Sequence, residues 1–188
     1  PKEVLTTVMR VHQKYFSIID NKNNLAPNFL FVSNSIPEKR RDRRVIEGNQ
    51  RVLKARLSDA NFFWKTDTSM TIKSLNDKLK NVLFYEGLGS VHEKTIRLSK
   101  VSKYFSILFN VDASLAKEAS LLSKFDLVSE MVGEFPELQG IMGSYYTKLN
   151  GKPNEVSNAI FEQYKPKGIS NDMPKTKLGA MLSFIDNI

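Results

Sequence analysis

Two sets of side chains in this sequence have the types and spacing to do chemistry. The first is a run of cations. Between Glu38 and Asp59 stand eight basic residues (Lys39, Arg40, Arg41, Arg43, Arg44, Arg51, Lys54, Arg56) against four acidic ones, the densest positive charge in the chain. The planar fork of arginine holds two phosphate oxygens at once, so Arg40, Arg41, Arg44 and Arg51, with Lys54 beside them, are candidate contacts for an RNA backbone. A charge-laced exposed helix needs no ligand, however, and Glu38/Asp42 and Glu47/Arg51 place carboxylates among these cations at i,i+4 spacing. Arg10 and Lys14 form a smaller basic group, readable as a phosphate contact or as a solvated strand face. The second set is His92, Asp126 and Asp186, whose order suggests a metal site. Imidazole is scarce, since His12 and His92 are the only histidines, and Phe125 stands where a second one would be required.

Other catalytic signatures are missing. Gly87-Leu88-Gly89 lacks the third glycine of a dinucleotide fingerprint because His92 occupies that place, and no following Lys-Ser/Thr pair makes a phosphate loop. There is no Gly-x-Ser-x-Gly elbow. Without cysteine there is neither a disulfide framework nor thiolate chemistry, and a cytoplasmic location is the default. No apolar run reaches the roughly 18 residues that span a bilayer, so no membrane role is expected. Twenty-eight Lys and Arg against twenty Asp and Glu give a net charge of +8, which favours polyanionic partners.

The elements that must position these residues follow from the apolar periodicity. Residues 4 to 19, rich in Val, Thr, Tyr, Phe and Ile, then the turn Asn21 to Asn24, then Phe29 to Val32, predict a β-hairpin or two strands of a larger sheet, with Arg10, His12 and Lys14 on one strand face. After Pro37 a long helix is expected from Glu38 to about Trp64, with Val45, Ile46, Val52, Leu53, Leu57 and Ala60 as its apolar stripe. Phe62, Phe63 and Trp64 read as an anchor for that helix, and Thr66 to Ser69 as a loop or cap. Ser90 and Glu93 form a capping box ahead of a helix through Leu108, while Asp112 and Asn154 are candidate caps for later ones. Asp126, Glu130 and Glu134 predict an acidic row on one helix that stops at Gly133, and a second helix begins near Phe135. Gly140 and Gly143 within it imply that another backbone approaches closely. Pro166 to Pro174, with Lys165, Lys167, Lys175 and Lys177 around it, reads as a loop. The uncapped apolar face of Leu178, Met181, Leu182, Ile185 and Ile188, like the start at Pro1, reads as a cut from a longer chain. The whole is an α+β fold, predominantly α-helical, with an N-terminal β-hairpin segment over 1–36, a long basic connecting helix over 37–66 and a helical domain over 67–188.

Four stretches in order resemble the β subunit of bacterial glycyl-tRNA synthetase: Met9 to Phe16, Leu25 to Phe29, Arg51 to Ala60, and Lys124 to Val128 followed by Phe135 to Tyr146. The resemblance implies a subunit of an α/β oligomer, a heterotetramer or similar, that joins glycine to tRNA(Gly) with ATP and Mg. The α subunit would carry the adenylate-forming core, leaving this piece non-catalytic, with no cofactor of its own and a role in tRNA binding or subunit contacts. Residues 67–188 would then be similar to HD phosphohydrolases, truncated at the C-terminus, with His92, Asp126 and Asp186 as remnants of the ion-binding pattern and Phe125 replacing the histidine of the His-Asp doublet. A metal-dependent phosphohydrolase and a pure subunit-interface scaffold are the alternative readings.

Overall fold

The computed structural model describes residues 1–34, 36, 38–166 and 172–188, with Arg40 described in its backbone only. Pro37, expected to open the long helix, and Lys167 of the expected loop lie outside the described residues. The chain divides into two units, Pro1–Lys65 and Thr66–Ile188.

In the first unit the opening run is helical rather than extended. Helix α1 (Lys2–Thr7) continues into a π-helical turn at Val8–His12. Val4, Thr7 and Val8 are buried at a spacing of three and four, a helical period that here overrides the β-propensity of the branched side chains. The expected hairpin is present but shorter. Strand β1 (Phe16–Ile19) pairs antiparallel with β2 (Leu25–Leu30), Phe16 opposite Leu30 and Ile19 opposite Leu25, with a bulge after Ser17. Asp20 makes the turn, its Oδ1 accepting from the amides of Lys22 (2.9 Å) and Asn24 (2.7 Å), and Asn23 adopts the left-handed conformation. Tyr15 stacks on Phe29 with ring centroids 4.7 Å apart, and its hydroxyl bonds Asn49 of the long helix α2 (Lys39–Ser69). On the part of α2 within this unit, Leu53 and Ala60 are buried among the described side chains, and Val45, Asn49 and Leu57 are half-buried. Ile46 and Val52, expected in the stripe, are exposed, as is Phe62 of the aromatic cluster.

The second unit is a helical assembly. Helix α3 (Ile72–Lys78), capped by Thr71, leads through a 3-10 turn into a two-stranded hairpin, β3 (Leu83–Tyr85) with β4 (Gly89–Ser90). Gly87 and Gly89 turn this hairpin with φ of +81° and +80°. Helix α4 (Val91–Phe109) opens on the expected capping box of Ser90 and Glu93, and Asp112 caps α5 (Ala113–Leu121) through the amides of Ser114 and Leu115. The Asp126/Glu130/Glu134 stretch is not one helix. It breaks into a 3-10 turn at Phe125–Val128, a short α6 (Glu130–Glu134) capped by Ser129, and a 3-10 turn at Pro136–Leu138. Asp126 is therefore fully buried, while Glu130 and Glu134 are exposed. Helix α7 (Ile141–Leu149) starts after Gly140, later than expected, because Gly140 has φ +78° and cannot be a helix interior. Helix α8 (Asn154–Glu162) begins at Asn154 without a side-chain cap; Pro153 occupies the cap position. Helix α9 (Lys177–Asp186) is capped by Thr176 and buries Leu178, Met181, Leu182 and Ile185, leaving Ile188 exposed. It packs on α4 and α8, and Phe125, Phe135, Leu138, Met142, Ile160 and Met181 form the core of this unit.

Candidate functional site

On α2 the 3.6-residue period places positions 44, 51 and 54 on one side of the helix, with position 40 one turn before them. Arg41, Arg44, Arg51 and Lys54 are exposed. Arg41 lies 3.8 Å from Glu38, and Arg43 donates to Glu47 at 3.0 Å, so Glu47 turns to Arg43 rather than to Arg51. Asp42 is spent at the helix start, accepting from the Glu38 amide at 3.0 Å. Among the described residues Arg44, Arg51 and Lys54 have no carboxylate partner. Their side of the helix therefore carries uncompensated positive charge.

Arg10 and Lys14 do not alternate along a strand. Arg10 and His12 belong to the π-helical turn, and Lys14 has φ +57°, a reversal that swings the chain from helix into β1. The two exposed cations nevertheless line one cleft of about 500 Å³ with Thr6, Tyr15, Phe16 and Ser17.

The three candidate ion-binding positions have separate fates. His92 sits in the first turn of α4, half-buried, beside Lys80, Asn81 and Glu93 in an open depression. Asp126 is buried below α7, where its Oδ2 accepts from the amides of Gly140 (2.7 Å) and Gly143 (3.0 Å). A close approach is present at both glycines, but only at Gly140 does a backbone make it; at Gly143 it is made by side chains. A Cβ on Gly143 would come within 3.0 Å of Asp126 and 2.8 Å of Ile160, and one on Gly140 within 3.1 Å of the Ile160 carbonyl. Asp126 Oδ1 has no hydrogen-bond partner among the described residues. Burial pushes the Asp126 carboxyl up to about 6, against the pull of both amides and of Lys124. Asp186, on α9, is held by two lysines: Lys124 Nζ lies 2.6 Å from its Oδ2 and Lys94 Nζ 2.7 Å from its Oδ1. Burial would raise this carboxyl, but the two ammonium groups outweigh it and hold it below the usual range.

The metal that an HD-phosphohydrolase reading would imply does not fit these residues. Asp126 spends Oδ2 on backbone amides, Asp186 is paired to lysines at both oxygens, and Phe125 is a fully buried core residue packed near the Tyr146 ring. Among the described residues no three His, Asp or Glu side chains gather as an ion-binding group.

Sequence reasoning missed three residues of this region. Lys124 is 4% exposed and donates to Asp186 (2.6 Å), Gln163 Oε1 (3.0 Å) and the Tyr164 hydroxyl (3.0 Å). Lys94 supplies the second cation. Asp67, read from the sequence as part of a loop or cap, lies in the last turn of α2 and caps a helix distant in sequence. It accepts from the amides of Glu130 (2.9 Å) and Met131 (3.0 Å) and from the Tyr146 hydroxyl (2.6 Å). The only available signal was a carboxylate at the end of an otherwise helical period.

Comparison with known proteins decides the family. A family model described as glycyl-tRNA synthetase beta subunit matches residues 1–188. The chain belongs to the glycyl-tRNA synthetase beta subunit family. Similar relatives include the glycine–tRNA ligase beta subunits of Pseudomonas syringae pv. syringae strain B728a, 45% identical over 188 residues, and of Pseudomonas savastanoi pv. phaseolicola, 44% identical. That of Pseudomonas putida strain GB-1 is 42% identical over the same span. In each case the match covers 100% of this chain and 27% of the relative, so this member of the beta subunit family spans about a quarter of the curated relatives' length. Among the described residues no helix is long and apolar enough to cross a membrane.

Proposed function

We propose that the chain is a non-catalytic part of the β subunit of glycine–tRNA ligase, and that the basic side of α2 meets the backbone of tRNA(Gly). Arg44, Arg51 and Lys54, on one helix side and without a carboxylate partner among the described residues, carry this reading. A phosphate backbone presents regularly spaced anions to such a row, and its binding needs no base contact. Arg10 and Lys14, paired on one cleft, are a second candidate phosphate contact. In this reading ATP, Mg and the adenylate-forming step belong to the α subunit of a cytoplasmic α/β oligomer, a heterotetramer or similar. The metal-dependent phosphohydrolase reading loses its support because backbone amides occupy Asp126 and lysines occupy Asp186.

The test uses the intact enzyme. Replacing Arg40, Arg44 and Arg51 together by Ala is expected to weaken tRNA binding across sequences. The slope of log K against log salt should flatten by about 0.7–0.9 for each phosphate that the variant no longer neutralises. Unchanged binding and slope overturn the assignment. If charge reversal at the same positions instead separates the subunits on co-purification while the salt slope stays put, α2 is an α-subunit scaffold.

A further inference from the structure

We propose that the Lys124 ammonium is a tethered cation, holding within the chain itself the place that a bound metal ion would take beside Asp186. Lys124 lies in the turn entering the Phe125–Val128 segment, and its Nζ is buried with a shell drawn from distant parts of the second unit. Asp186 comes from α9, Gln163 and Tyr164 from the residues directly after α8, and each presents an oxygen at 2.6–3.0 Å. An ammonium has three N–H donors, and these three oxygens satisfy all of them. The Tyr164 ring adds its face, with Nζ 4.2 Å from the ring centroid. Oxygen ligands converging from separate segments are what a hard cation requires, and here the cation is covalently supplied.

The surroundings leave little electrostatic demand for a further ion. Asp186 already faces Lys94 through its other oxygen, and Lys94 also reaches the Asp186 carbonyl at 3.4 Å. A divalent ion at Asp186 would have to displace one ammonium and sit near the other, and like charges at such range repel strongly away from bulk water. The ionic centre therefore ties the end of α9 to α8 and to the Lys124 turn without depending on any metal.

The experiment is thermal unfolding of the intact protein carrying this chain, with and without MnCl2 and propylammonium, the amine that replaces the atoms removed by Lys124→Ala. The parent is expected to show no melting shift with MnCl2. Lys124→Ala is expected to melt lower by at least about 5 °C, and propylammonium to recover part of that loss. Stoichiometric Mn binding by the parent that Asp186→Asn abolishes overturns the proposal, as does a Lys124→Ala loss that the amine leaves untouched. Should Lys124→Ala not fold, Lys124→Met decides, because it keeps an apolar stem of similar length and removes the ammonium with its three donors. Melting below the parent supports the tethered cation, and melting at or above the parent overturns it.

Discussion

The exposed cations of α2 in the first unit and Lys124 of the second are basic side chains in opposite circumstances. On α2 they are exposed, and the pairs they make are shallow: Arg43 and Glu47 meet at 3.0 Å with side chains 83% and 54% exposed. Such pairs contribute about 0–1 kcal/mol, so the fold does not depend on them and their charge is available to a partner. Lys124 is buried, and its charge is consumed by Asp186, Gln163 and Tyr164. Charge density along the sequence marks the first kind and is silent about the second.

The largest effect that would sharpen this contrast is expected at Asp67, at the opposite end of α2 from the exposed arginines. Asp67→Ala removes one acceptor from two helix amides and a tyrosine hydroxyl, and should lower unfolding free energy in urea by about 3–5 kcal/mol. Tyr146→Phe, which removes one of those bonds, should lower it by about 1.5–3 kcal/mol. A loss under about 1 kcal/mol at Asp67 would break the distinction between buried and exposed charge.

A middle-sized effect is expected from pH. Asp126 titrates near 6 in the folded chain against 3.8 as its ordinary value, so between these the folded state holds a proton that the unfolded state has released. Its contribution to stability is fully present below pH 3.8 and is lost as pH rises through about 6, a change on the order of 2–3 kcal/mol. The groups that face it are the Lys124 ammonium, whose pKa burial lowers, and the Tyr146 and Tyr164 hydroxyls, whose pKa burial raises. Asp186 acts in the other direction and lower down: its carboxyl is held below 3.8, so its contribution is lost only as pH falls further. Asp126→Asn should therefore flatten stability between about pH 4 and 6 in denaturant titrations, and an unchanged profile would assign the dependence elsewhere.

The smallest effect on stability is expected from Arg44→Ala and Arg51→Ala, each within about 0.5 kcal/mol of the parent by urea unfolding. A loss above about 1 kcal/mol for either would mean that the exposed cations are structural after all.

Much of the local architecture was legible. The Ser90/Glu93 box, the Asp112 cap, the Asn21–Asn24 turn and the buried face of α9 all depend on residues within one or two turns of each other, and all appear. The acidic row was a misreading of spacing. Positions 126, 130 and 134 fit a helical period, but Ser129 begins a new cap and Phe125–Val128 tightens into a 3-10 turn, which turns Asp126 inward and leaves the other two outside. The N-terminal run erred the other way, because its β-branched residues obscured the three-and-four spacing of Val4, Thr7 and Val8.

The sequence by itself determined that the chain is mainly helical with a small hairpin, that its strongest positive charge lies on one long helix, and to which family it is similar, since these rest on composition, short-range periodicity and ordered motifs. Only the tertiary structure decided that Lys124 meets Asp186 across 62 positions and that Asp67 caps a helix 63 residues away. Whether a charge is buried depends on what the rest of the chain brings against it, and in a low-dielectric interior that decides whether a lysine is a surface ligand or an internal counter-ion.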